Sequence, residues 1–302
     1  MTLQFHTLGL SAALLSILHA APAWSQSVRL LDHLILGESK IDGEKIGEFS
    51  ALVAAPDGNG LIAVSDRGYL ARLAVTITGE DLAAVEVVSV HVLTGPDGRA
   101  LRDEGVSPEA AAVLPDGSLA IVDETTARLM VFDTMGTWLR DELLPEALRD
   151  TGRQASEKDG VEALAWTETT GFLAMTEEPQ LGFERNDHTL RTALAGDWPL
   201  VIDGPESVSI KGMEAAEGRI FLLGRTRDDI TDALRPYLRI LDHVACQSAR
   251  ACTGTTYPVS VPGIEDADFE GIAALGDGLL LLVSDDKVGG DLRSVFALIA
   301  VE

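Results

Sequence analysis

An internal repeat constrains the fold of this sequence more than any other feature. Five segments share one order of elements: a short apolar strand, a tight turn, a second apolar strand, and a cluster that is mostly acidic. The segments are 49–68, 108–124, 161–178, 209–225 and 269–286. Recurrence of one unit along a chain is typical of proteins that stack the same supersecondary unit several times.

Each unit has the features of a β-hairpin. Turn sequences such as Pro115-Asp116-Gly117 separate apolar strands such as 279–283, which reads Leu-Leu-Leu-Leu-Val. Gly and Asp adopt the backbone conformations that a tight reversal needs. Short apolar strands that are partly β-branched are typical of strands buried on both faces.

The spacing of the units predicts an all-β fold, a β-propeller of four-stranded antiparallel blades. The closing clusters begin at positions 66, 124, 177, 224 and 285, so the repeat varies between 47 and 61 residues. This length suits one blade with generous loops. Five blades are favoured, with six as the alternative, and a β-sandwich does not explain the paired columns. We expect the unmatched strands 28–31 and 295–299 to share one blade and close the ring.

The charge balance excludes two classes of partner. The chain has 302 residues with 48 Asp and Glu against 23 Lys and Arg, a formal net charge of -25. A surface this acidic repels nucleic-acid backbones and anionic lipid faces, so we expect neither as a partner. With 46% hydrophobic residues the chain is too apolar for a disordered acidic protein. We expect a monomer with one propeller domain over residues 26–302.

The first 25 residues have the features of a secretory signal peptide. The apolar run from Leu8 to Ala21 is too short to span a bilayer, and Ala23 and Ser25 are small residues at the positions that a signal peptidase inspects. We expect cleavage between Ser25 and Gln26 and a periplasmic or secreted mature protein that is not embedded in a membrane. A retained anchor and a misassigned start are the alternatives.

Cys246 and Cys252 are the two cysteines, with five residues between them. In an oxidising compartment such a pair most simply forms one disulfide that closes a small loop. The spacing is not that of a Cys-x-x-Cys motif and no histidines cluster around it, which argues against a metal or redox site.

The repeat predicts that carboxylates converge at one end of the propeller. In each hairpin the start of the first strand and the end of the second are neighbours. The expected neighbours are Glu109 with Glu124, Glu162 with Glu177, and Glu270 with Asp285. If the first strand lines the channel, these ends face one mouth. The acidic rim predicted there comprises Asp66, Glu109, Asp123, Glu124, Glu162, Glu177, Glu178, Glu270, Asp285 and Asp286.

Such a rim favours a bound cation. Crowded carboxylates raise one another's pKa unless cations lie among them, and Arg67, Arg225 and Lys287 are the basic residues in or beside these columns. An all-oxygen site suits Ca²⁺ better than zinc or copper. We therefore expect Ca²⁺ at a site made of five carboxylates. They are Glu109, Glu162, Glu270, Asp285 and Asp286. The alternative is that these acids are turn residues and solvated surface.

Several motifs, in the right order along the chain, resemble the phytase-like family, described as "esterase-like activity of phytase". They are 48–52 (Glu-Phe-Ser-Ala-Leu), 65–68 (Ser-Asp-Arg-Gly), 160–164 (Gly-Val-Glu-Ala-Leu), and 269–272 (Phe-Glu-Gly-Ile) followed by 284–286 (Ser-Asp-Asp). The resemblance covers essentially the whole mature chain and implies an exported bacterial propeller that hydrolyses phosphate or carboxylic esters. The chain departs from the family pattern at Glu177-Glu178, at Gly224-Arg225 and at Lys287.

The leading hypothesis is therefore an ester hydrolase. A carboxylate of raised pKa, Glu124 or Glu177, would activate water. Arg67 and Arg225 would hold the negative oxygens of a small anionic ester, and Ca²⁺ would polarise it. Asp66 and Lys287 complete the predicted substrate contacts.

The alternative hypothesis is a non-catalytic propeller that binds a ligand or an envelope partner through its acidic rim. It is favoured by missing signatures, since the sequence has no Gly-x-Ser-x-Gly elbow, no His-Glu-x-x-His, no phosphate-binding loop and no dinucleotide fingerprint. A fold does not by itself imply a function.

Overall fold

A computed structural model describes residues 27–37, 39–156, 158–184, 186–202, 208–227, 233–265, 267–288 and 291–302, with backbone alone for 286–288, 291 and 292. The predicted signal peptide, residues 1–25, lies outside the described residues. Within them, no helix is both long enough and apolar enough to cross a bilayer.

The described residues are almost entirely β-structure. One α-helix, α1 (His243–Ala249), accompanies the strands. In chain order the strands are β1 (Val28–Leu36), β2 (Ser39–Ile41), β3 (Glu44–Ile46), β4 (Phe49–Ala54), β5 (Leu61–Ser65), β6 (Tyr69–Thr78), β7 (Asp81–Val92), β8 (Pro108–Val113), β9 (Leu119–Asp123), β10 (Arg128–Phe132), β11 (Trp138–Glu142), β12 (Val161–Thr167), β13 (Gly171–Thr176), β14 (Thr189–Thr192), β15 (Asp197–Val201), β16 (Val208–Ala216), β17 (Arg219–Arg227), β18 (Leu234–Asp242), β19 (Cys252–Pro258), β20 (Phe269–Gly276), β21 (Leu279–Ser284), β22 (Asp286–Val288) and β23 (Asp291–Val301).

The strands form antiparallel sheets of four. Four sheets take consecutive strands, namely β4 to β7, β8 to β11, β12 to β15 and β16 to β19, and the fifth has the order β1-β23-β21-β20. A short parallel pairing of β15 with β19 joins the third and fourth sheets. The first strands β4, β8, β12, β16 and β20 contact one another in a closed cycle around a central axis. The predicted β-propeller class is confirmed.

The two ends of the described chain close the ring together. Strand β1 pairs with β23 from Val28 opposite Val301 to Leu36 opposite Ser294. The fifth sheet therefore combines the first strand with the last three long ones, as the unmatched terminal strands predicted. Hydrogen bonds between the first and last strands of the described chain therefore close the ring of sheets.

Each first strand carries a β-bulge near its start. The pairing register shifts at the same place in all five hairpins, for example between Phe269 and Gly271 in β20 and between Ile210 and Gly212 in β16. The inserted residues are Ser50, Glu109, Glu162, Lys211 and Glu270. A bulge leaves one residue outside the regular ladder and re-aims its side chain. The repeated bulge thus turns five equivalent side chains toward the axis.

The core lies between adjacent sheets and is fully apolar at its centre. Phe49 of β4 and Phe296 of β23 pack with ring centroids 6.4 Å apart, and both are buried. The predicted disulfide between Cys246 and Cys252 is present, with the two Cα atoms 4.6 Å apart, and it links α1 to β19.

Truncation of Phe296 tests whether the closing strand holds the ring. Phe296 has no exposed surface, so we expect Phe296→Ala to lower the free energy of unfolding by about 3–5 kcal/mol through lost burial and a cavity. Val88, 62% exposed in the edge strand β7, gives the control Val88→Ala, for which we expect a change within about 0.5 kcal/mol. Urea unfolding measures both. Equal effects would contradict the arrangement.

Candidate active site at the mouth of the propeller

The five bulge residues form a ring around the axis, called here the inner ring: Ser50, Glu109, Glu162, Lys211 and Glu270. All five are buried. Carboxylate oxygens of Glu109, Glu162 and Glu270 lie within 4.8 Å of one another, although they belong to three different sheets. The ring is therefore a convergence of acids from distant parts of the sequence.

Lys211 is the cation of the inner ring. Its Nζ lies 3.2 Å from a carboxylate oxygen of Glu162 and 3.0 Å from one of Glu270. It also lies 3.3 Å from Glu177, which follows the strand β13. The side chain of Lys211 is only 5% exposed. The surrounding carboxylates compensate the charge of this ammonium, which would be costly if it were buried without a partner.

Gly212 explains how Lys211 comes so close to Glu270. A Cβ atom at Gly212 would lie 2.2 Å from the carbonyl oxygen of Glu270, a distance that no real side chain accepts. Only glycine lets β16 approach β20 this closely. Gly212, the residue after the bulge in the fourth sheet, thus allows the short distance between the fourth and fifth sheets at the mouth.

A second set of residues, called here the outer ring, follows the second strand of each sheet: Asp66, Glu124, Glu177, Arg225 and Asp285. Their positions are equivalent in the backbone. The amide of Glu124 donates to the carbonyl of Ser107 at 3.1 Å, and the amide of Glu177 to that of Gly160 at 2.9 Å. Arg225 takes the same place opposite Ser209. The outer ring lies next to the inner one because the two strands are hairpin partners.

The arginines are engaged with carboxylates. Arg225 contacts Glu177 at 3.0 Å and also pairs with Asp268. Arg67 pairs with Glu48 at 2.6 Å, and its side chain is 39% exposed. Of these two predicted substrate contacts, Arg67 is therefore the more accessible, while Arg225 is part of the charge network around Lys211.

Burial raises the pKa of two carboxyl groups of the rings, Glu109 and Glu124, to about 7. For Glu109 burial is the main cause and the neighbouring Glu124 and Asp66 add to it, while a 2.8 Å hydrogen bond from Ser107 opposes it. For Glu124 burial again dominates and Glu177 adds to it, against a hydrogen bond from the amide of Gly160. These groups exchange protons near neutral pH, as a general base must.

The pKa values of Lys211 and of its partners Glu162 and Glu270 shift further. Burial raises the pKa of Glu162 and of Glu270 well above the usual range, although Lys211 opposes this. Burial alone would lower the pKa of Lys211, but the surrounding carboxylates outweigh it and raise that pKa well above its usual value. Lys211 therefore stays charged throughout the physiological range.

The structure brings most residues of the predicted acidic rim close together. In each expected pair the second carboxylate helps to raise the pKa of the first: Glu124 acts on Glu109, Glu177 on Glu162, and Asp285 on Glu270. Two predicted rim residues are held by structural hydrogen bonds instead. Asp123 accepts hydrogen bonds from the amide of Ser107, on the other side of the hairpin, and from Thr125 in its own turn. Glu178 accepts one from Ser209 of β16 at 2.5 Å. Of Asp286 and Lys287 only the backbone is described, in β22.

Sequence reasoning missed two residues of the inner ring, Lys211 and Ser50. The signal was present, since Ile210-Lys211-Gly212 matches Phe269-Glu270-Gly271 and Phe49-Ser50-Ala51 at the start of each first strand. Taking Gly224 as the closing position of the fourth segment hides this match. Aligning the starts of the first strands reveals the substitution of Lys for Glu.

The inner ring adjoins a small cavity. A cavity of about 10 Å³ touches Ser50 and Glu162, and its other walls are small or apolar side chains such as Ala110, Leu164 and Met213. A larger cleft of about 670 Å³ lies between residues 143–153 and 192–197, and no ring residue lines it. The chemistry of the rings, rather than cavity size, therefore marks the mouth as the candidate site.

Substitution of Lys211 tests the ion-pair network. We expect Lys211→Met to lower the free energy of unfolding by about 3–5 kcal/mol at pH 8, because buried carboxylates lose their partner. Lys40, exposed on β2, provides the control Lys40→Met, for which we expect little change. Urea unfolding measures both variants. A small effect of Lys211→Met would show that the network is not buried in solution.

The raised pKa of Glu124 predicts a pH dependence of stability. Its pKa is about 7 in the folded protein against an ordinary value of 4.5. Between these values the folded state binds more protons, so its stability falls as the pH rises. We expect Glu124→Gln to make this fall less steep between pH 5 and 7. Urea unfolding at several pH values measures it, with Glu168→Gln on an exposed turn as the control. Parallel curves for Glu124→Gln and wild type would refute the assignment.

Comparisons with known proteins find similar solved structures and one matching family model. Among solved structures, the chain is similar to the PQQ-bound aldose sugar dehydrogenase of Streptomyces coelicolor (14% identity, 93% of this chain and 100% of that chain, TM-score 0.46). It is also similar to the virginiamycin B lyase of Staphylococcus aureus (9% identity, 91% and 99%, TM-score 0.40), and to a catalytically inactive variant of that lyase with quinupristin (11% identity, 83% and 66%, TM-score 0.36). The chain thus spans about two thirds of the length of the last of these.

A search of curated proteins finds no match. The family model for the phytase-like family, described as esterase-like activity of phytase, matches residues 44–199. This match covers more than half of the chain and includes the first three hairpins with their acidic ends. The chain therefore belongs to the phytase-like family.

Proposed function

We propose that this protein is an exported, monomeric hydrolase of phosphate or carboxylic esters, with its active site at the mouth of the propeller. The observation that carries the proposal is the convergence of buried carboxylates around Lys211. Such a site combines proton acceptors near neutral pH with fixed positive charge in a region of low water content, where electrostatic effects on a reacting group are strong. Membership of the phytase-like family supports ester hydrolysis as the reaction class.

Glu124 is the better of the two predicted general bases. Its pKa of about 7 allows it to take a proton from water at neutral pH. One of its oxygens accepts a hydrogen bond from the Gly160 amide at 3.3 Å. Glu177 is held by both Lys211 and Arg225, so its oxygens are already occupied. We therefore assign water activation to Glu124 and a positioning role for Arg225 to Glu177.

Arg67 is the proposed contact for an anionic oxygen of the substrate. Its guanidinium is partly exposed and has a single carboxylate partner at close distance, Glu48. Arginine binds phosphate and carboxylate oxygens through parallel N–H donors. Arg225 would contribute to substrate binding through its field, since Glu177 and Asp268 already occupy it.

The inner ring fits a divalent cation. Three carboxylates within 4.8 Å suit the oxygen coordination of Ca²⁺, and Asp285 lies close enough to Glu270 to raise its pKa. Lys211 contacts two of the three acids and balances part of their charge. Ca²⁺ bound there would neutralise the remainder and polarise an ester oxygen. Glu109, Glu162 and Glu270 would hold it, with Asp285 next to Glu270; of the predicted ligand Asp286 only the backbone is described.

One observation favours the second candidate function, a binding propeller without catalysis. Lys211 and Arg225 both lie in contact with several carboxylates, which resembles a charge network that is already satisfied. In that case the acidic mouth would recognise a ligand or an envelope partner, and the raised pKa values would follow from packing alone.

Activity measurements on Glu124→Gln distinguish the two functions. The wild-type protein should hydrolyse members of a panel of p-nitrophenyl phosphate, p-nitrophenyl acetate and simple lactones. Glu124→Gln should lower kcat by about 10²-fold or more, because the base is removed while the shape is kept. KM should change little. Steady-state kinetics with and without added Ca²⁺ measure these effects.

Glu168→Gln on the exposed turn is the matched control and should retain wild-type activity. If wild type and both variants hydrolyse the panel at the same rate, the mouth is not the catalytic site. If wild type turns over none of these esters, the binding function is favoured.

A further inference from the structure

The inner ring is asymmetric in a way that bears on its cation. Counting around the axis by sheet, the order is Ser50, Glu109, Glu162, Lys211 and Glu270. Lys211 thus stands between Glu162 and Glu270, which it contacts. Ser50 stands between Glu109 and Glu270, where no basic side chain of the ring lies. The five positions hold one ammonium, on one side of the axis.

The ring also contains buried oxygens that have no partner among the described residues. Ser50 is 1% exposed, and no described residue meets hydrogen-bond geometry with its Oγ, although the hydroxyl is near enough to Glu109 to oppose the rise in the pKa of that carboxyl. Glu162 contacts Lys211 through Oε1, while its Oε2 has no hydrogen-bond partner. A buried oxygen without a partner destabilises the folded state. Ser50 and Glu162 line the same small cavity.

The charge balance of the inner ring also favours a cation near Ser50. The inner ring holds three carboxyl groups against one ammonium, so with all three carboxyls ionised it would carry two more negative charges than Lys211 compensates. The cavity floor is apolar and gives no further cation. One divalent cation on the Ser50 side would balance the ring and give ligands to the oxygens of Ser50 and Glu162.

We propose that Ser50 and Lys211 together set the capacity of the inner ring at one divalent cation. Lys211 supplies a permanent positive charge on its side of the axis. The short side chain of Ser50 leaves room on the opposite side for a cation-binding site, called here the seat, which is lined by Ser50, Glu109, Glu162 and Glu270. Only the use of this cation in hydrolysis rests on the proposed function. The proposal that the cation binds is argued from the geometry of the ring.

Reciprocal substitutions at equivalent ring positions test the proposal. Isothermal titration of the purified protein with CaCl₂ alone, after chelator treatment, should give one ion per chain for wild type. Ser50→Lys should bind none, because a second ammonium fills the seat, and its Tm should not respond to Ca²⁺ or EDTA. Lys211→Ser should bind Ca²⁺ about tenfold more tightly or take a second ion, because a repelling charge is gone.

Two further variants keep the test decisive if Ser50→Lys does not fold. Glu109→Gln preserves the shape and removes one charge, so we expect about a tenfold or larger loss of Ca²⁺ affinity. Ser248→Lys adds the same charge on the exposed face of α1 and should bind Ca²⁺ as wild type does.

The inference is wrong if wild type binds no Ca²⁺, if Ser50→Lys still binds one ion, or if Lys211→Ser and Glu109→Gln keep the wild-type affinity. These results are separable from the proposed function. Cation binding in the expected pattern without turnover of any ester would refute hydrolysis and leave the ring proposal standing. Turnover without any cation binding would do the reverse.

Discussion

The ammonium of Lys211 lies among carboxylates from two other sheets, and the geometry of the mouth depends on this contact. Glu162 and Glu177 come from the third sheet and Glu270 from the fifth, while Lys211 itself belongs to the fourth. Without the ammonium these acids would repel one another in a region of low dielectric. With it, three sheets are tied together at the end of the channel where the candidate chemistry lies. The same contact orients Glu177, which in turn holds Arg225.

A backbone feature makes that contact possible. The β-bulge repeats at equivalent positions in all five first strands, so the side chain that leaves the ladder points toward the axis each time. The scaffold is therefore symmetric, and only the side chains break the symmetry. Changing one Glu to Lys and another to Ser in such a ring changes its charge without changing its backbone. Function can diverge within this fold at five interchangeable positions.

The sequence was sufficient to predict the scaffold and the location of the acids. Hairpin turns and apolar strands recur, and the ends of paired strands must be neighbours, so Glu109 beside Glu124 follows from pairing alone. The cation that pairs with Glu162, Glu177 and Glu270 was not predictable in the same way. Lys211 contacts Glu270 because Gly212 allows two strands of different sheets to approach, a distance that no local pattern encodes. For the same reason Arg225, expected to face substrate, is engaged by Glu177 and Asp268.

The distribution of charge places different demands on the two classes of ester. The outer ring presents carboxylates such as Glu124 and Asp285 to whatever enters the mouth, and the buried cations Lys211 and Arg225 are already in contact with acids. A phosphate monoester carries up to two negative charges and meets this acidic entrance with repulsion, which a bound divalent cation would offset. A neutral carboxylic ester or lactone meets no such barrier. Dependence on Ca²⁺ should therefore be stronger for phosphate esters than for carboxylic esters, because only the former need the added cation to approach Glu124.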